Sequence, residues 1–267
     1  LNRFNSLKEI AFDRDIEAIN YSKDRLKNYL DRVELLNCNF REITNYLKQK
    51  KLKADGILLD LGVSSHQIDD SERGFSFRFT GPLDMRMNRE QSLSAYEVVN
   101  NYDETKLANI IYEYGEERLS RQIAKAIVNS RPLKTTEELK TIVESVVSRY
   151  NKREVKSSVQ RVFQAIRIEV NGELEGLYDF ILSLADVTAE GGRIAIITFH
   201  SLEDRIVKNV FNYHTTNCIC DKSIPVCVCG HKADCKLINK KPIVASKEEL
   251  SKNKRSASAK LRVIEKL

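Results

Sequence analysis

An α/β fold, with a helical insertion between two parts of its sheet, is predicted by three observations. Short apolar runs alternate with amphipathic helix patterns near the start of the chain. The same pairing recurs far downstream, and only helical periodicity fills the space between.

Glu9-Ile10-Ala11-Phe12 reads as a strand closing on Asp13; Ile16, Ile19, Leu26 and Leu30 mark the helix after it, with Asp15 as its cap. Val33 to Leu36 is a second strand and Ile43 to Leu47 opens a helix. Gly56 to Leu59 is a short apolar run of the kind that fills a central parallel strand, and it ends at Asp60. Downstream, Gly191-Gly192 is expected to break a helix before a strand over Arg193 to Thr198, and a helix runs from Ser201 through Phe211.

About 130 residues separate Asp60 from Arg193, far more than a parallel crossover needs. Asp103 can cap a helix bearing Leu107, Ile110, Ile111 and Tyr114, ended by Gly115, and Leu119, Ile123 and Ile127 continue in a second helix. Thr135 with Glu138 makes a capping box ahead of Leu139, Ile142, Val143 and Val146. Val159, Val162, Phe163, Ile166 and Val170 form one more apolar face.

With 267 residues, 42% hydrophobic and 31% charged, the chain can bury the core of one large or two modest domains. No run approaches the roughly 20 apolar residues that span a bilayer, and the first residues lack the pattern of a signal peptide. No membrane partner is expected, and the cytoplasm is the expected location. Lys240 to Leu267 holds nine Lys or Arg against three Asp or Glu, leaving 35 of each sign before it, so the whole net charge of +6 sits in this tail. Such an end suits phosphate contact, or else it is a solvated tail that aids solubility.

Ligands of open α/β sheets bind at the carboxyl ends of the strands, which directs attention to two acids. Asp13 stands where nucleotide-binding folds place a ribose-binding carboxylate, although an acid after a strand is often only a helix cap. Asp60 begins Asp60-Leu61-Gly62-Val63-Ser64-Ser65-His66-Gln67, which offers a carboxylate, hydroxyls, an imidazole and an amide in one loop. A helix cap could absorb Ser64 or Ser65. Farther along, Phe75, Phe77 and Phe79 alternate with Arg78 after Arg73, a pattern that fits base stacking as well as simple anchoring of the loop. His200 opens the late helix at a strand end, with Ser201 as the expected N-cap and Asp204 at its capping-box position; the imidazole is either a substrate contact or a structural group.

Five cysteines crowd near the end, Cys218-x-Cys220, Cys227-x-Cys229 and Cys235, with His231 among them. A disulfide framework is not expected in the cytoplasm. The CxC spacing departs from the CxxC pairs of zinc ribbons, so a reduced, packed loop without metal is the reading adopted, with zinc as its alternative.

The blocks from Asp60 to Phe77, Gly81-PLDMRM, Phe163-QAIRIEVNGEL, Glu190-GGRIAIITFHSLEDRIVK, Lys241-PIVAS and Arg255-SASAKLRV together resemble the MraW family, also called RsmH. The resemblance implies a Rossmann-like, S-adenosylmethionine-dependent methyltransferase. Its expected substrate is the exocyclic N4 of a cytidine in the decoding region of 16S ribosomal RNA, with the small ribosomal subunit as partner. It implies a discontinuous methyltransferase domain over 1–97 and 171–267 and an inserted helical domain over 98–170 that recognises RNA. By motif position Asp13, Phe40, Asp60 and Gln67 are the expected cofactor contacts. Asp60, Ser64 and His200 are candidates to orient the cytosine amine, and Arg73, Phe75, Phe77 and Arg86 to touch RNA.

Two departures from the pattern bear on these expectations. Many amino methyltransferases carry an Asp or Asn followed by Pro-Pro and an aromatic where this chain has Asp60-Leu61-Gly62-Val63, so its amine acceptors are expected to differ. The family's first strand and glycine-rich loop are expected before Leu1, and a protein starting there is expected to bind S-adenosylmethionine weakly or not at all. Two rivals complete the reading: a non-catalytic RNA-binding protein, and a nicotinamide-dependent dehydrogenase, which would share Asp13 but has no visible hydride-transfer site.

Overall fold

In this computed structural model, which describes residues 1, 3–221, 223–224 and 226–267, the chain begins with β1 (Glu9–Asp13), α1 (Ile16–Arg25), β2 (Val33–Asn37), α2 (Ile43–Lys50) and β3 (Ala54–Asp60). Six helices follow: α3 (Ser65–Asp69), α4 (Ala95–Asn101), α5 (Glu104–Glu113), α6 (Ser120–Asn129), α7 (Thr136–Val147) and α8 (Val155–Asn171). The remainder is α9 (Leu177–Val187), β4 (Thr188–Thr198), α10 (Ser201–Thr215), β5 (Cys235–Leu237), β6 (Ile243–Val244), α11 (Lys247–Lys252) and β7 (Lys260–Lys266). Two compact units result, Leu1–Cys38 with Val63–Glu173, and Asn39–Gly62 with Leu174–Leu267. No helix among the described residues is long and apolar enough to cross a membrane.

In the first unit β1 and β2 pair in parallel, from Glu9↔Val33 to Asp13↔Asn37. Asp15, in extended backbone, caps α1 by accepting the Glu17 N–H. That helix stops at Arg25 and a short 3₁₀ turn follows, so Leu26 and Leu30 lie outside the helix whose face they were expected to mark. The helical positions read from periodicity are the core: Leu107, Ile111, Ile123, Ile127, Leu139, Val143, Val162 and Ile166 are buried together. Asp103 accepts the Lys106 N–H at 2.9 Å, and the Thr135–Glu138 capping box forms in both directions.

The polar loop after α3 is drawn into this core through Phe75, Leu83, Met85 and Met87. Its fold depends on Gly74, which has φ +68; a Cβ there would collide with the Pro82 carbonyl oxygen.

The second unit carries a mixed sheet in the order β3-β4-β7-β5, with β6 also on β7. β3 and β4 are parallel from Gly56↔Arg193 to Asp60↔Ile197, whereas β7 runs antiparallel to β4. Ile57, Leu59, Ile194, Ile196 and Ile264 are buried at the alternate positions a pleated strand requires. β3 stands at the end of this sheet order and not at its centre, and Leu58, on its other face, is 66% exposed. The Gly191-Gly192 pair does not break a helix either. α9 has already ended at Val187, and the glycines lie inside β4 where its register with β3 shifts, as a bulge.

The basic end is a built part of this unit. Arg262 and Lys260 pair with Asp204 of α10, at 2.7 and 3.2 Å, and Lys266 pairs with Asp234 at 2.8 Å. Lys240, Lys241, Lys247 and Lys254 remain exposed.

Candidate functional site

In the first unit the site grows from the end of β1. Asp13 Oδ1 accepts the Asp15 N–H at 2.8 Å, which fixes the carboxylate. The surrounding protein raises the pKa of Asp13 through desolvation, with repulsion from Asp15 adding to it; the Asp15 N–H, Arg14 and Arg73 only partly oppose this.

Asp15 does more than cap a helix. Its Oδ2 accepts from Gln67 Nε2 at 2.7 Å and from Arg73 Nη2 at 2.8 Å, and all three residues are buried. Burial alone would raise the pKa of Asp15, but the hydrogen bonds from Gln67 and Arg73 outweigh it and hold the carboxyl below its ordinary value. The rest of the Gln67 amide is used locally: Oε1 accepts the Ser64 N–H at 3.0 Å while Ser64 Oγ accepts the Gln67 N–H at 3.1 Å. This capping box starts α3. Gln67, expected beside the cofactor, is thus buried and hydrogen-bonded within the unit, whereas Ser64 is exposed and keeps its hydroxyl proton and a second lone pair; the hub at Asp15 had no signal in the sequence beyond its cap position.

The expected RNA contacts need correction. Arg73 is 1% exposed: besides Asp15 it donates to Glu17 at 3.0 Å and to the carbonyls of Arg86 and Met87, so no phosphate reaches its guanidinium. Arg86 is forked onto Asp84 and donates to the Arg89 and Gln91 carbonyls, which commits its guanidinium to the loop. Phe75 is buried, and Phe77 packs edge-on against Phe163 with centroids 5.7 Å apart, so both anchor the loop. Phe79, at the end of the alternation, is 48% exposed.

In the second unit, neighbouring parallel strands β3 and β4 bring Asp60 and the residues around His200 to one sheet edge. Asp60 reaches solvent, but adjacent protein desolvates it and Glu203 repels it; together these raise its pKa. His200, and not Ser201, is the N-cap of α10. Its Nδ1 accepts the Glu203 N–H at 3.4 Å, and Glu203 Oε2 accepts the N–H groups of Phe199 and His200 in return. Accepting at Nδ1 places the proton of a neutral ring on Nε2. That atom is buried and lies 3.2 Å from Glu203 Oε1, but among the described residues it has no hydrogen-bond partner. The capping box belongs to His200 and Glu203 because the helix starts one residue earlier than the serine suggested. Asp204 turns instead to Arg262 and Lys260.

Phe40 opens a short 3₁₀ turn capped by Asn39 and tilts against Phe180, with centroids 5.3 Å apart. Beyond α10, the thiols of Cys218, Cys220, Cys227 and Cys229 converge, while Cys235 is buried apart from them in β5.

Carboxylates at the carboxyl ends of β1 and β3, each strand feeding a capped helix, belong to the Rossmann-like class to which methyltransferases belong. The chain is a member of the MraW methylase family, whose model matches residues 1–267. It is 50% identical over 264 residues to the Ribosomal RNA small subunit methyltransferase H of Caldicellulosiruptor saccharolyticus, covering 97% of this chain and 84% of that protein. The protein of that name from Brevibacillus brevis is 46% identical over 262 residues, covering 97% and 83%. The Finegoldia magna protein is 44% identical over 270 residues, covering 99% and 86%.

Proposed function

We propose that this protein methylates the exocyclic N4 of a cytidine in the decoding region of 16S ribosomal RNA, with S-adenosylmethionine as methyl donor and the small ribosomal subunit as substrate. The observation that carries the reading is similarity over nearly the whole chain to proteins named Ribosomal RNA small subunit methyltransferase H. The target atom is the finer part of the proposal and rests on the motif blocks around Asp60 and His200.

The residues suit the cofactor. Asp13 has one carboxylate oxygen held by a backbone N–H, and in this reading its other oxygen receives the ribose hydroxyls. Phe40 supplies an apolar wall beside the cofactor. When bound, S-adenosylmethionine supplies a methyl group on a positively charged sulfur.

The protein's main task is to orient a poor nucleophile. The lone pair of the cytosine amine is delocalised into the ring, so an acceptor must hold an amine N–H and turn the nitrogen toward the methyl group. His200 does not serve, because Nδ1 is used by the Glu203 N–H and Nε2 is the donor. Ser64 Oγ already accepts the Gln67 N–H and is a neutral oxygen, a weaker acceptor than a carboxylate. Asp60 therefore takes this role and receives the proton that the amine sheds. The helices of 98–170 and the exposed Lys240, Lys241, Lys247 and Lys254 meet the RNA.

The test incubates the protein with small subunits from a strain lacking the modification, and measures N4-methylcytidine by mass spectrometry. Product supports the proposal. Subunit binding without methylation would favour the RNA-binding alternative.

A further inference from the structure

We propose that Cys218, Cys220, Cys227 and Cys229 form a closed, structural zinc site. This revises the metal-free loop expected from the CxC spacing. The four sulfurs lie within 4.8 Å of one another, with Cys227–Cys229 at 3.5 Å and Cys229–Cys218 at 3.9 Å. Zn–S bonds of about 2.3 Å in a tetrahedron place sulfurs about 3.8 Å apart, between those two separations. A multi-iron cluster fits poorly, since its four thiolates would be divided between two or four irons and the sulfurs would need to spread.

The backbone supports thiolates at the same place. The Ile219 N–H donates to Cys229 Sγ and the Val228 N–H to Cys220 Sγ, both at 3.4 Å, so each CxC pair donates to a sulfur of the other. Such donors favour the charged sulfur that a metal requires. No helix or strand lies between Thr215 and Cys235 among the described residues, and Ile219, Ile224, Val226 and Val228 are exposed. A segment that buries so little apolar surface needs another cross-link. Four soft sulfur ligands select zinc over magnesium or calcium, and with all four positions filled the ion has no place for water or substrate. Its role is to hold the loop after α10 in shape.

The experiment uses the full chain, purified under reducing conditions from zinc-supplemented cells, and measures metal by mass spectrometry. One zinc per chain is expected. Cys218→Ser and Cys229→Ser should each lower the content severalfold, while Cys38→Ser and Cys235→Ser leave it unchanged. Cobalt added to the zinc-stripped chain should give the visible spectrum of a tetrahedral tetrathiolate, and titrated zinc should abolish it. Substoichiometric zinc with an octahedral cobalt spectrum, iron with acid-labile sulfide, or zinc retained when all four cysteines are serine would each overturn the proposal.

Discussion

Arg73 and Asp15 form an ion pair at 2.8 Å with side chains only 1% and 5% exposed. It joins the loop after α3 to the start of α1, and Gln67 shares the same carboxylate oxygen. Arg73→Ala should cost about 3–5 kcal/mol, because it leaves the Asp15 charge buried with one partner fewer. Urea denaturation of wild type and variant measures it; a loss below 1 kcal/mol would show that the pair carries little of the unit's stability.

The same pair sets an acid limit. The folded pKa of Asp15 is depressed, so its contribution is complete above the unfolded carboxylate value of about 3.9 and is lost as pH falls toward the folded value. Arg73→Ala removes the main charge partner, so the stability gap between variant and wild type should narrow in that acid range. Thermal melts at stepped pH read the gap, and a constant difference across the range would contradict the assignment.

Asp60 has the opposite sign. Its folded pKa is raised, so the ionised carboxylate destabilises the fold above the folded pKa, and Asp60→Asn should raise the melting temperature at neutral pH. The same change should lower methylation by about 10²–10³-fold if the carboxylate orients the amine. A variant that is stabilised yet fully active would separate Asp60 from the chemistry.

Asp13→Ala should weaken S-adenosylmethionine binding by about tenfold or more, as expected when a charged hydrogen-bond acceptor is lost. Calorimetry with the product, S-adenosylhomocysteine, measures the effect without turnover. Unchanged affinity would leave Asp13 as a turn-forming residue only.

The three phenylalanines should part company. Phe77→Ala removes a ring packed on Phe163 and should cost up to about 3–5 kcal/mol, whereas Phe79→Ala should barely alter stability and should weaken subunit binding. Denaturation and filter binding distinguish them; equal stability losses would place Phe79 in the core as well.

What was legible in the sequence was whatever one local rule decides. Periodicity found Leu107, Ile111 and Val162, and cap chemistry found Asp15, Asp103 and Thr135, because those signals lie within a few residues of their effect. Strand ends pointed to Asp13 and Asp60 for the same reason. The sequence did not reveal that Arg73 belongs to Asp15, since their contact spans 58 positions and an arginine in a polar loop looks like a phosphate ligand. Nor did composition reveal that Phe75 and Phe77 turn inward while Phe79 does not. The shift of the α10 cap from Ser201 to His200 came from rivalry between two adjacent residues that can both accept the helix's first N–H groups.

β7 imposes an order on synthesis. Among the described residues β5 and β6 pair only with it, and it covers the edge of β4 opposite β3. While residues 260–266 remain inside the exit tunnel, β3 and β4 can meet but nothing can shield the far edge of β4. The nascent protein therefore exposes this edge of β4 until translation has passed the segment.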